Sequence, residues 1–590
     1  MTASAMLLSE CVEVRGRFRR SVHLEKDFLA ASQNGDYIVT PTARDALRRL
    51  AEGMGSGSPY RAWTLTGPYG VGKSAFAVFM TRLFCSASKQ GQQARLQLEE
   101  VDPQLTTHLR ELGLFGPKSY GFLPVLATAR RVPASRCLAE GIVAGASATR
   151  DRKVKASVRN LVDVLKSQGN GQPGDTRQIV NALSSLSEAA GSVGYAGILL
   201  IIDELGKLFE YAARYTQKGD VFVLQELAEQ AARSSNRPLV VVGLLHQSFE
   251  EYGLHLDLAT RREWAKIQGR FEDIAFLEPA EQVIRMIAKA IQWTSDQRDN
   301  ALARHLSALV TAASKAGVAP PGMQNADFEA AARAAYPLHP VTLAALPFVF
   351  RLFAQNERSL FSYLSSPEPY GFQEFIKTRA LTPDVPPIVR LGDLFDYFTR
   401  SFGAGLYRHP QALRWMEAAD VLERKEGLSP VHREVVKTIG ILNALGEFSH
   451  LNATEAVISL AVADSASPSA EVKGALKCLR EASIVTYRKF NHTYRIWEGS
   501  DVDIEERIAE GERKIRQGLH LAESVKHHLP TRPLVARRHS FETGALRYLE
   551  EWNLAASCVL EGGIGGSPPS VASIKAPTAT ENAEYFYIAA

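Results

Sequence analysis

Gly67-Pro-Tyr-Gly-Val-Gly72-Lys73-Ser74 stands between an apolar run, Trp63-Thr-Leu-Thr66, and an apolar helical stretch from Lys73 to Phe84. The spacing matches G-x-x-x-x-G-K-[ST], and a strand before with a helix after is the context that motif requires. Glycines let successive backbone N–H groups turn toward phosphate oxygens at a helix N-terminus. Lys73 then reaches the β- and γ-phosphates, and the Ser74 hydroxyl ligates Mg²⁺. The predicted nucleotide-binding residues are Gly67, Pro68, Tyr69, Gly70, Val71, Gly72, Lys73, Ser74 and Ala75.

Two further runs, Gly197-Ile-Leu-Leu-Ile-Ile202 and Leu239-Val-Val-Val-Gly-Leu-Leu245, are apolar throughout and of strand length. Continuous rather than alternating runs predict a parallel sheet covered by helices on both faces. Asp203-Glu204 closes the first run. There Asp203 is placed to hold Mg²⁺ through water and Glu204 to polarise an attacking water. A Glu beside the strand-end Asp favours hydrolysis over phosphoryl transfer to a small acceptor, the work of a small-molecule kinase. His246-Gln247 closes the second run, and one of the two is expected to reach the γ-phosphate or the lytic water; which one is open, as is a role capping the loop.

Farther on stands Trp264-Ala-Lys-Ile-Gln-Gly-Arg270-Phe-Glu-Asp-Ile-Ala-Phe276-Leu-Glu-Pro279. An Arg between a helix and the next strand suits a guanidinium projecting into a neighbouring subunit's γ-phosphate. The other reading is a surface ion pair with Glu272 or Asp273.

The composition agrees with a globular protein. The 590 residues are 45% hydrophobic and 22% charged, enough for roughly three to five domains. This excludes disordered, collagen-like and disulfide-stapled classes. Lys+Arg of 68 against Asp+Glu of 64 leaves +4, so any nucleic-acid contact must come from a local patch. The five cysteines, Cys11, Cys85, Cys137, Cys478 and Cys558, form no C-x-x-C pair, which fits a reducing compartment and no structural zinc. The N-terminal apolar stretch, Ala5 to Leu8, is too short for a signal sequence, and no run approaches the ~20 residues of a membrane span. The expected location is cytoplasmic, without a membrane.

After Pro279 the pattern is helical, with predicted helices over Ala280 to Trp293, Asp296 to Ala316 and Phe328 to Phe353. Ser429 to Ala444, Ala453 to Ala463 and Ala470 to Ala482 read as three short helices. A hairpin comes next, Ile484 to Phe490 and Thr493 to Trp497 about the polar pair Asn491-His492. Three helices and a hairpin make a winged helix. Its Lys473, Lys477, Arg480, Arg488, Lys489, His492 and Arg495 suit duplex DNA, though such modules also serve as docking or lid elements.

The order of these signals resembles an AAA+ ATPase of the origin-recognition and STAND-like neighbourhood. More narrowly, GPYGVGKSAF, IIDELGK, LLHQSFEEY, YPLHP, AQNERSLFSYL and TYRKFNHTYRIWEGSDVDIE are similar to large ATPases of bacterial phage-defence clusters such as the BREX type. The likeness spans roughly residues 15 to 510; the Walker motifs are generic and the later strings more family-specific.

The implied fold is α/β: a P-loop parallel sheet with a helical lid, then a winged helix and an irregular tail. The divisions expected are an N-terminal segment 1–52, an ATPase core 53–279 with an insertion near 85–196, a lid 280–400, a winged helix 401–510 and a helical then flexible tail 511–590. The resemblance further implies bound ATP and Mg²⁺, a homo-oligomer with Arg270 acting in trans, and partners among defence proteins. Tyr336-Pro-Leu-His-Pro340 would open a lid helix, with Arg358 as a sensor-2 candidate; Arg351 or Arg358 equally suits a solvent-facing position. Thr40-Pro41 and the Arg17 to Arg20 cluster would frame the adenine or form a solvated basic turn. A nucleotide-dependent switch that recruits an effector is the alternative function.

Overall fold

The strand Gly197–Asp203 shows why the centre of the chain folds as it does. Its Ile198, Leu200 and Ile202 enter one apolar cluster while Leu199 and Ile201 enter another, so both faces of the strand are covered. Each such side chain contributes about 1.5–3 kcal/mol on full burial. Asp203 is the first charged residue of the run, and the chain turns there.

The computed structural model describes residues 6–18, 22–30, 37–55, 58–85, 88–115, 120–167, 174–215, 220–234, 236–253, 256–294, 300–353, 360–382, 386–402, 412–464 and 469–497, and beyond these 508, 511, 513, 534–535, 541–544 and 548–549. In chain order the strands of residues 6–497 are β1 (Val12–Val14), β2 (Ala62–Thr66), β3 (Phe122–Thr128), β4 (Gly197–Asp203), β5 (Leu239–Leu245), β6 (Glu272–Ala275), β7 (Ile291–Trp293), β8 (Val485–Arg488) and β9 (Thr493–Ile496). β2 to β6 form one parallel sheet in the order β3-β4-β5-β2-β6. The helix Lys73–Cys85 covers one face with Phe76, Phe79 and Leu83; Ala134–Ala148, Thr176–Ser192 and Phe222–Arg233 cover the other.

The stretch 85–196 is not an insertion. It supplies β3, which pairs with β4 from Phe122↔Gly197 to Thr128↔Asp203, together with helices that cover the sheet. The run Phe122 to Ala127 reads as a strand in the sequence, but the polar loops around it do not show that it joins the central sheet. The N-terminal segment 1–52 is likewise divided. Leu8, Cys11, Val12 and Val14 join the core of the helical region, whereas Ala43, Leu47 and Leu50 of the helix Pro41–Met54 pack beside Trp63 and Phe76. That helix starts on a Thr40 cap, whose hydroxyl accepts from the Ala43 N–H, with Pro41 at its first position.

The helices after Pro279 differ from expectation in their ends. The first is Ala280–Ala290, because Ile291-Gln-Trp293 leaves it as β7 and pairs antiparallel with β1. The second is Asn300–Lys315. The stretch Phe328 to Phe353 is two helices, Asn325–Ala334 and Pro340–Phe353, broken where Pro337 and Pro340 remove backbone donors. One apolar cluster then runs from Ile284 through Phe350, Trp415 and Ile439 to Ile496.

Within that cluster, buried His339 faces Asp464 through Nε2 at 3.4 Å, and Arg390 grips the same carboxylate with bonds of 2.7 and 2.8 Å. His339 Nδ1 accepts the Val341 N–H, which leaves the ring proton on Nε2, toward Asp464. Burial pushes the Asp464 carboxyl up, but the bonds from His339 and Arg390 outweigh it and hold it well below the usual carboxylate range. A depressed folded pKa stabilises above the unfolded value of about 3.9 and loses that stabilisation as pH falls. Asp464→Asn is expected to cost about 2 kcal/mol or more near neutral pH. Thermal melts check it: the gap between parent and variant should close as pH drops below about 3.9.

Helices Pro430–Leu445, Glu455–Ala463 and Ala470–Glu481 and the hairpin β8–β9 lie where the pattern predicts. The turn differs. Arg488 pairs with Thr493, so Lys489, Phe490, Asn491 and His492 all belong to the loop, with His492 at φ +55°. Residues 498–590 form a separate compact unit, whose described part includes an antiparallel pair, Leu534–Val535 with Tyr548–Leu549. Arg358 and the Gly562 to Thr580 stretch lie outside the described residues. Among those described, no helix is long and apolar enough to cross a membrane.

Candidate nucleotide site

In the order β4-β5-β2 three neighbouring strands end side by side, at Asp203, Leu245 and Thr66. The segments leaving them are Asp203-Glu204, His246-Gln247 and Gly67–Ser74. Adjacent strands lie only about 4.8 Å apart, so all three segments emerge at one edge of the sheet, within reach of a single ligand.

Gly70 and Gly72 have φ of +78° and +92°, which side chains rarely adopt. A Cβ on Gly67 would lie 2.3 Å from the Phe276 carbonyl oxygen, so the loop's entry is closed to any larger residue. Lys73 opens the following helix and is only 4% exposed. Its ammonium donates to the carbonyls of Gly67 and, at 2.8 Å, Pro68. Burial lowers its pKa to about 8, with Asp203 opposing the shift. Ala75 follows Ser74 in the first turn of this helix.

The Ser74 hydroxyl hydrogen-bonds to the Asp203 carboxylate. Asp203 is 5% exposed, and burial raises its pKa against that bond, the Glu204 N–H at 2.9 Å and Lys73. Among the described residues no group of three or more His, Cys, Asp or Glu is placed to hold a metal. A hydroxyl beside one carboxylate still fits Mg²⁺, which binds through one or two protein oxygens and takes phosphates and waters for the rest. The residues also fit a triphosphate: left-handed glycines open the backbone, and a desolvated ammonium donates to main-chain carbonyls that phosphate oxygens can replace.

Glu204 has φ +55°, an uncommon conformation for a side-chain-bearing residue. Its carboxylate is paired with Lys207, at the start of the next helix. His246 Nδ1 lies 3.3 Å from Lys73 Nζ, and its ring stacks on Tyr69 with centroids 3.4 Å apart. Burial, then Lys73 and Lys207, lower the His246 pKa to about 3, so the ring is neutral. An ammonium only donates; Nδ1 therefore accepts, and the proton sits on Nε2, which is buried without a hydrogen-bond partner among the described residues.

Sequence pattern does not reveal what holds this loop. Tyr252 accepts hydrogen bonds at its hydroxyl from the main chain of His246 and Gln247. A Cβ on Gly206 would meet that hydroxyl at 2.1 Å, so the Tyr252 head sits directly against the turn after Glu204. Tyr252→Phe should lower ATP turnover about tenfold, with nucleotide affinity little changed and about 1 kcal/mol of stability lost. Parallel turnover, binding and melting measurements check it; equal turnover would leave Tyr252 without a part in positioning the site.

Arg270 stands elsewhere. It precedes β6, whose Glu272 pairs with Trp63 near the start of β2, so it lies at the edge where the strands begin, opposite the phosphate loop. Its partner is neither Glu272 nor Asp273 but Glu229, at 3.3 Å, on the helix Phe222–Arg233. Arg351 is exposed, and its guanidinium donates to the Glu278 carbonyl at 3.0 Å. Thr40 donates to the Glu278 carboxylate at 2.6 Å, tying the first segment to the end of the sheet. Arg19 and Arg20 lie outside the described residues.

No protein-family model matches the chain, and no curated relative does. Solved structures of the Aeropyrum pernix ORC2 protein are similar over 84% of this chain. Its ADPNP–ADP complexes match at 13% identity, TM-score 0.29, over 98% of that chain, and its ADP form at 11% identity, TM-score 0.28, over 99%. At such TM-scores the likeness carries no argument; the α/β sheet and the loops at its edge do.

Proposed function

We propose that this protein is an AAA+-type ATPase that binds ATP with Mg²⁺, hydrolyses it, and acts on DNA or DNA-bound partners. The observation that carries the reading is the meeting of Lys73, the Ser74–Asp203 pair and Glu204 at adjacent strand ends. Lys73 exchanges its loop carbonyls for β- and γ-phosphate oxygens, and the left-handed glycines turn N–H groups toward the same phosphates. Ser74 and Asp203 hold Mg²⁺, which neutralises phosphate charge when bound. Glu204, freed from Lys207, takes a proton from the attacking water. His246 acts as sensor 1 rather than Gln247, because its Nε2–H is a desolvated donor on a ring whose Nδ1 lies beside Lys73.

Arg270 completes the site of a neighbouring copy in a homo-oligomer. The three helices and hairpin of residues 430–497 form a winged helix that contacts duplex DNA with Lys473, Lys477 and Arg488. Participation in prokaryotic anti-phage defence, with partner proteins of such systems, rests on the sequence strings alone.

A second reading, a switch that turns over slowly and recruits an effector, is favoured by one observation: the Glu204–Lys207 pair occupies the proposed base. Phosphate release with and without duplex DNA separates the two. Sustained turnover stimulated by DNA is expected; a single burst indifferent to DNA would establish the switch, and no nucleotide binding would end both.

A further inference from the structure

Two ammonium groups stand at the phosphate edge of the sheet, and each is bonded to oxygens of the chain itself. Lys73 lies on the Gly67 and Pro68 carbonyls, and Lys207 is ion-paired with the Glu204 carboxylate. Both act on one ring. Burial, then the charges of Lys73 and Lys207, keep His246 neutral, and Lys73 Nζ is 3.3 Å from its Nδ1.

The main chain around Lys207 is anchored. The residue stands in the first turn of the helix Gly206–Arg214, and its N–H donates to the Glu204 carbonyl at 2.9 Å. A Cβ on Gly206 would meet the Tyr252 hydroxyl at 2.1 Å, so the turn has no room to shift toward that ring. The Lys207 side chain is 38% exposed on a flexible four-carbon stem, so its ammonium can move by a change of rotamer alone. On an ordinary helix face a pair three positions apart is a minor stabilising contact. Here the acid is the residue placed to activate water, and the same contact withholds it from that work.

The chemistry sets how far the ammonium must travel. The water that Glu204 activates attacks the γ-phosphorus, so a cation on the Glu204 carboxylate stands about one water molecule from the γ-phosphate oxygens. A terminal phosphate carries more negative charge than one carboxylate and offers three acceptor oxygens.

We propose that Lys207 is a γ-phosphate sensor whose ammonium leaves Glu204 for a γ-phosphate oxygen when a triphosphate binds, freeing Glu204 to act as base. The exchange makes and breaks no covalent bond, and Lys207 keeps its proton throughout. A diphosphate presents no oxygen at that position, so the base stays paired. This rests on the nucleotide-site reading above and adds the group by which that site distinguishes ATP from ADP.

The test is equilibrium binding of ADP and of slowly hydrolysed ATPγS, each with Mg²⁺, to the full chain, alongside ATP turnover and thermal melting. Lys207→Met should bind ATPγS about tenfold more weakly while its ADP affinity stays within about twofold of the parent's. Lys207→Arg, which keeps the charge, should retain most of the preference for ATPγS. Lys207→Gln, which keeps a polar side chain in the turn, repeats the measurement should Lys207→Met melt early. ATPγS and ADP affinities that both match the parent would overturn the sensor: faster turnover would then make Lys207 a brake on Glu204, and unchanged turnover a support of the turn. Equal weakening of both nucleotides would overturn it too. In each of these cases the parent still binds nucleotide and the site stands. If the parent binds neither nucleotide, the site reading itself falls and the sensor with it.

Discussion

Glu204→Gln is expected to lower steady-state ATP turnover by about 10²- to 10⁴-fold while leaving ATP affinity nearly unchanged. The substitution keeps size and hydrogen-bonding shape but removes the carboxylate's basicity. It also keeps the backbone demand at φ +55°, so the fold should persist. In the structure Glu204 is paired with Lys207, and hydrolysis requires that pair to open. Phosphate release and equilibrium ATP binding, measured on the same preparations, decide the matter. A variant that turns over like the parent would show that Glu204 is only the partner of Lys207.

The second large effect is expected at Arg270. A guanidinium supplied to a neighbour's γ-phosphate is worth about 10³- to 10⁵-fold in turnover. Arg270→Ala should therefore lose about 10³-fold at concentrations where the parent assembles. The lost Glu229 contact is a half-exposed ion pair, worth at most about 1 kcal/mol, so stability should barely move. The geometry sharpens the prediction: Arg270 lies at the edge of the sheet opposite its own phosphate loop, so a role at a γ-phosphate would have to be in a second copy. Mixing Arg270→Ala, whose site is intact, with Glu204→Gln, whose finger is intact, should recover part of the activity. If Arg270→Ala keeps full turnover at every protein concentration, Arg270 is a surface arginine and nothing more.

What is legible in the sequence is local. The glycine spacing of residues 67–74, the apolar runs of β4 and β5 and the acids at the end of β4 are each contiguous signals, and each maps onto the sheet edge as a short element with a short turn. What escapes is set by contacts between distant segments. β1 and β7 pair Val12 with Trp293, and no periodicity within either segment announces the other. The end of the helix at Ala290 comes from that pairing, since Ile291 and Trp293 suit strand and helix alike. Tyr252 reads as an ordinary aromatic until its hydroxyl is seen against the His246 and Gln247 main chain. Lys207 lies three residues past Glu204, yet only the turn into the next helix brings their charges together. The hairpin turn departs from its sequence because Asn491-His492 looks like a complete two-residue loop; His492 alone takes positive φ, and the loop widens to include Lys489 and Phe490.

Everything proposed for this protein depends on the loops after β2, β4 and β5 making one Mg²⁺-dependent triphosphate site. The most direct measurement is a structure of the Glu204→Gln protein with ATP and Mg²⁺. The expected result has Lys73 released from the Gly67 and Pro68 carbonyls onto the β- and γ-phosphates, Ser74 and Asp203 on the metal, and His246 Nε2 facing the γ-phosphate. Phosphates bound away from Gly67–Ser74, or Lys73 still folded onto its own loop beside a bound nucleotide, would contradict it.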